Sequence, residues 1–259
     1  MSTAARGGLA GKVFGGTLGM LGRMKAQWRT IAAYLAIAFA IFALWNNILL
    51  VPLRVLTVFI HEASHALAAL ATGGAVESIR IAPDGSGLCI TVGGNAVAIV
   101  SAGYLGSMAW GLLMIGAAER LERPGRVLLA MTVLLTVVAV VWVRPLAGFG
   151  FFFCLVFAAG LAWAVLEGPR GLHVAILRIM GLTSCLYALA DMRRDIFAAR
   201  HPASDASLMA ELTGLPPWFW GIAWLVMAFL IAAAFVRGMI APPPKQNASA
   251  HMHRLSQRP

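Results

Sequence analysis

VFIHEASHAL, residues 58–67, sets two histidines, a glutamate and a serine among Val, Phe, Ile, Ala and Leu. His61 and His65 are four apart, so on an α-helix they fall about 40° from each other around the axis and one turn along it, and both imidazoles reach a common point. Two imidazoles and a carboxylate suit zinc and leave a position for water. Glu62, beside the first histidine, is placed to take a proton from that water and return it to a leaving amine. The flanking residues decide the fold. From Pro52, a residue favoured in a first helical turn, the apolar run continues to the Thr-Gly-Gly stop at 72–74. That is about 20 residues, enough to cross a ~30 Å hydrocarbon core.

The same texture extends along the chain. Its 259 residues are 60% hydrophobic and 12% charged, with a mean hydropathy of +0.83, against roughly 45–50% and about 25% in soluble domains. Stretches free of Asp, Glu, Lys and Arg occupy 30–53, 85–118, 127–143, 145–166 and 212–236. The predicted spans are 31–50, 52–72, 95–118, 127–144, 147–166, 172–190 and 217–238: an all-α polytopic membrane protein with six to seven transmembrane helices. A membrane β-barrel would show alternating segments of about 10 residues, which this chain lacks. After the His-Glu-x-x-His helix, VESIRIAPDGSGLCITVGG (76–94) reads as a small β-hairpin. The 95–118 span is rich in small residues, and Gly103 and Gly106 permit close helix contact.

The formal net charge is +10. The basic residues flank apolar spans without an aromatic–basic groove pattern, so the expected partner is the lipid bilayer and not nucleic acid. Arg6, Lys12, Arg23, Lys25 and Arg29 precede the first span with no acid among them, which places residues 1–29 in the cytoplasm as a basic N-terminal segment. With seven spans, however, Arg120, Arg123 and Arg126 would fall outside, against that rule. The tail 241–259, polar and opened by prolines, reads as disordered. Cys89, Cys154 and Cys185 form no Cys-x-x-Cys pair and read as small buried hydrophobes.

A zinc site wants a third protein ligand. Glu77 and Asp84 lie in the hairpin, and Glu119, Glu122 and Glu167 in short polar connections. The remaining acids share one segment, LYALADMRRDIFAARHPASDASLMAELTG (186–214). Asp191, at the end of an apolar span, is favoured for its depth. Asp195 follows one turn later on the same face and Asp205 is a further candidate, though Ser-Asp also reads as a helix N-cap. His173 and His201 read as interfacial, and His251 and His253 lie in the tail. Trp218, Trp220 and Trp224 read as an interfacial aromatic belt. Arg178, inside a span, either snorkels or pairs with a carboxylate.

FIHEASHALAAL in a membrane helix, the DGSG turn, SAGYLGS, and the late YALADMRRDIF and SDA pieces together resemble the site-2 protease family of intramembrane zinc metallopeptidases, in its compact branch without a PDZ domain. The likeness covers roughly residues 50–225. It implies that His61 and His65 bind zinc, that Glu62 is the general base, and that a later aspartate completes the site: Asp191, with Asp195 and Asp205 as alternatives. The chain lacks the Leu-Asp-Gly motif that carries this aspartate in better-known members. The resemblance also implies a membrane metalloprotease-like domain over 30–240, acting on transmembrane protein substrates in regulated intramembrane proteolysis. The expected location is the plasma (inner) membrane of a bacterium, with a cytoplasmic N terminus. The alternative is a non-catalytic zinc-binding membrane protein, a pseudoprotease or client-binding scaffold.

Overall fold

The computed structural model describes residues 28, 30–45, 47–197 and 204–240. The basic segment 1–29 (except Trp28), His201, and the tail with His251 and His253 lie outside the described residues. Within them, a short apolar helix α1 (Thr30–Ala43) is followed by α2 (Val51–Ala71), a two-stranded sheet, α3 (Ala96–Arg120), α4 (Gly125–Trp142), α5 (Phe149–Glu167), α6 (Arg170–Phe197), a short α7 (Asp205–Thr213) and α8 (Pro217–Ile240). Six of these helices are long and apolar enough to cross a membrane. The chain is an integral, multi-pass membrane protein.

The predicted 31–50 span is not continuous. Asn47 accepts a hydrogen bond from the Leu49 amide (3.0 Å) and starts a 3-10 turn, Ile48–Leu50, that leads into α2. Conversely, α6 runs past its predicted end at 190. Arg193 and Arg194 are exposed while Asp191, Met192 and Asp195 are buried, so what reads as a charged stop is a two-faced helical turn.

The hairpin pairs β1 (Ala75–Ile81) antiparallel with β2 (Gly87–Val92), Ile79 opposite Cys89. Asp84 closes its turn by accepting from the Ser86 amide (2.9 Å) and hydroxyl (2.7 Å), which hold this exposed carboxyl below its ordinary value. The outer edge of β1 is covered: Ile79 bridges Val143 and its carbonyl accepts from the Arg144 amide (2.9 Å). Among the described residues no strand pairs with the outer edge of β2.

Helix α3 packs between α2 and α6, with the Ser184 hydroxyl donating to the Ser107 carbonyl (2.8 Å) as polar glue. Several arginines satisfy helix ends. Arg144 donates to the last carbonyls of α4, Arg170 to those of Leu121 and Glu122, and Arg120 to that of Gly238. Orphan carbonyls in a low-dielectric medium are costly, so these cations have a local task.

Candidate metal centre

Helix α2 carries His61 and His65 one turn apart, facing α3. The Ile99 carbonyl can only accept, so His65 Nδ1, 2.7 Å away, is the donor, and the lone pair on Nε2 is left free. That Nε2 lies 3.0 Å from His61 Nε2. Two ring nitrogens so placed either share a hydrogen bond, donated by His61 in its Nε2–H tautomer, or offer both lone pairs to one metal ion.

The third group comes from the start of α7. Asp205 Oδ2 is 3.1 Å from His61 Nε2, and Oδ1 is 3.4 Å from His65 Nε2. Ser204 is the N-cap, its hydroxyl accepting from the Ser207 amide (3.2 Å), so the capping role open to Asp205 in the sequence falls to its neighbour. Burial raises the Asp205 carboxyl, but positive charge on the imidazole pair outweighs it and holds the group below the ordinary carboxylate range. The three side chains offer ligand atoms within 4.8 Å of one another. Atoms bound at about 2.0–2.1 Å around a tetrahedral ion stand roughly 3.3 Å apart, so the N, N, O set and its spacing fit zinc.

Asp191 and Asp195 line the same cavity, but they are engaged elsewhere: Asp191 Oδ1 pairs with Arg194 (2.8 Å), and Asp195 Oδ2 accepts the Tyr104 hydroxyl (2.8 Å). Thus Asp205, and not the sequence-favoured Asp191, is the carboxylate brought to both imidazoles. Depth along an apolar run was the sequence signal for Asp191. It does not register that a short helix can return a polar residue to the same place.

Two further residues shape the centre. A Cβ on Gly103 would lie 2.5 Å from His61 Cε1 and from His65 Cε1 and Nε2, so α3 can approach only because position 103 has no side chain. The Tyr104 ring lies 5.0 Å from that of His61 and 5.2 Å from that of Trp224. A Tyr hydroxyl within a span needs a partner, and that was the signal by which Tyr104 could have been found. Trp224 is buried and donates to Ser101 (3.1 Å), so it leaves the predicted interfacial belt.

Glu62 is buried against β2. A Cβ on Gly87 would overlap its Oε1, and the Cys89 amide donates to its carboxylate. The imidazoles, Glu62, Gly87, Cys89 and the three aspartates all border one cavity of about 550 Å³. His173 lies outside it, 2.9 Å from the Ala164 carbonyl.

The chain matches the family described as Peptidase M50B-like over residues 34–235. No curated protein and no solved structure matches it. Peptidases of this kind are zinc-dependent. Since the matched stretch runs from within α1 to near the end of α8, and so takes in the whole cavity and its walls, the chain belongs to the Peptidase M50B-like family, a site-2 protease family of membrane metallopeptidases.

Proposed function

We propose that this protein is an intramembrane zinc endopeptidase that hydrolyses peptide bonds within membrane-spanning protein substrates, with His61, His65 and Asp205 as ligands and Glu62 as general base. The observation that carries the reading is the triangle of His61, His65 and Asp205, its atoms 3.0–3.4 Å apart, in a cavity that also holds the Glu62 carboxylate. Glu62 is not needed to complete that ligand set, which favours a role in proton transfer over a purely structural metal.

Zinc, when bound, supplies Lewis-acid polarisation of a carbonyl and makes water more acidic. The residues of the chain do the rest. Glu62 takes the proton from the attacking water and delivers it to the amine nitrogen as the C–N bond breaks. The contact of His65 with Ile99 fixes the tautomer that presents Nε2. A substrate helix conceals its peptide bonds in i→i−4 hydrogen bonds, so it must unwind locally. The open edge of β2, adjacent to Glu62, offers backbone partners to the unwound segment as an added strand.

The test is purified full-length protein in lipid vesicles with a fluorescent transmembrane peptide. Wild type is expected to bind one zinc and cleave in a chelator-sensitive way, and Glu62→Gln to keep its zinc and lose about 10²–10⁴-fold in rate. Zinc bound by both, with no cleavage of any peptide in a broad panel, would leave a non-catalytic zinc-binding membrane protein.

A further inference from the structure

A second polar cavity, of about 190 Å³, opens beside the hairpin turn and shares Val58, Asp84, Tyr187 and Arg194 with the catalytic cavity. The rings of Trp45 and Tyr187, 6.4 Å apart, border it, and so does Arg54 of α2. Among the described residues, the charged groups around it are Arg54, Arg194 and Asp84, with Asp191 just beyond in the catalytic cavity. Three of these are already engaged: Asp84 accepts both Ser86 donors, and Asp191 and Arg194 hold each other at 2.8 Å. Arg54 is the cation left over. Its Nε is buried and, among the described residues, has no hydrogen-bond partner. A buried guanidinium nitrogen without an acceptor is costly, and a carboxylate meets its fork geometry best.

Arg54 is seven residues before His61 and eight before Glu62. It therefore lies within about 20° of His61 around α2, and about 12 Å back along the axis from Glu62. An extended chain covers that distance in roughly three to four residues. A strand laid along β2 past Glu62 toward the Gly87 end would run beside the turn that borders this cavity.

We propose that Arg54 forms a specificity subsite for an acidic side chain of the substrate, three or four residues from the bond that is cut. This rests on the proteolytic reading above and names a class of substrate for it: membrane segments with a Glu or Asp at that distance.

The test measures binding apart from cleavage. Full-length protein carrying Glu62→Gln is placed in phosphatidylcholine vesicles with labelled Leu/Ala peptides of about 25 residues. Each has a central Asn-Gly pair to favour unwinding and a single Glu or Gln at one flanking position. Glu three or four residues from the pair, on one side, is expected to bind about tenfold tighter than Gln. The preference should disappear when Arg54→Gln is added, persist with Arg54→Lys, and pass to Lys-containing peptides with Arg54→Glu. That last reversal requires a folded chain. Equal or absent binding of Glu and Gln peptides, or a preference that survives Arg54→Gln, overturns the subsite. So does a response to Arg54→Gln seen only when phosphatidylglycerol is added, which would assign Arg54 to a lipid headgroup. Wild-type cleavage of the same peptides is scored separately: if none is cut, the proteolytic reading fails while the subsite is still decided by binding.

Discussion

Gly103 has no side chain because two imidazoles occupy the space where one would be. Gly103→Ala drives a methyl group into both rings, and because α3 is held on α2 over a long interface, the rings must yield. We expect zinc affinity to fall by about 10–100-fold, measured by competition with a chromophoric chelator. The control is Gly160→Ala on α5, where nothing lies within 4 Å of the added carbon; that change should leave affinity unaltered. The third ligand is decided in the same assay. Asp205→Asn should weaken zinc binding more than about 100-fold, whereas Asp191→Asn, which alters the partner of Arg194 and Tyr187, should retain one zinc per chain. Retention by Asp205→Asn would return the role to Asp191. His61, Glu62 and His65 were legible in the sequence because helical periodicity fixes their relation within a single turn. Asp205 was not singled out, since its place depends on how α7 meets α2 and α3, and no local pattern records that.

The hairpin joins fold to chemistry at the scale of elements. Its turn was readable from Pro-Asp-Gly-Ser-Gly, but the sequence did not reveal that β1 spends its outer edge on Val143 and Arg144 and so, among the described residues, leaves β2 as the open one. Gly87 begins that strand in direct contact with Glu62 and with Val58, whose Cγ1 would lie 2.6 Å from an added Cβ. Gly87→Ala should therefore displace β2 or Glu62 and lower cleavage without removing zinc. Ile90→Pro acts differently. It deletes an amide opposite Ser78 and bends the strand, so it should impair cleavage of helical substrates more than that of a short, already extended peptide. Comparing kcat/KM for the two substrate types checks this. Equal losses on both would mean that the strand supports the site without receiving substrate.

For the whole molecule, the bundle follows membrane rules in placing large apolar side chains outward, Phe152, Val156, Trp163 and Leu166 of α5 among them, and polar groups inward. One inward cluster lies outside the catalytic cavity. Glu119 Oε1 accepts from Arg178 Nε (2.8 Å) and from the Tyr34 hydroxyl (2.7 Å), and the Arg178 guanidinium lies 5.6 Å from the Tyr34 ring centroid. Arg178 thus pairs with a carboxylate, and Glu119, which reads as a loop residue in the sequence, sits in the last turn of α3, two positions before the polar connection. The cluster joins α1, α3 and α6, and ties the described stretch of α1, Thr30–Ala43, to the bundle. Removing the carboxylate leaves a partly buried guanidinium unpaired, which costs more than the net value of the bond itself. Glu119→Gln should accordingly destabilise the protein by roughly 1.5–3 kcal/mol, read from reversible denaturation in mixed micelles. Tyr34→Phe, which loses one neutral donor, should cost about 1 kcal/mol. Neither substitution touches the zinc ligands, so metal content at equal folded fraction should stay constant. If Glu119→Gln instead loses zinc in proportion to its lost stability, the two clusters unfold as one unit and α1 contributes to holding the metal site closed.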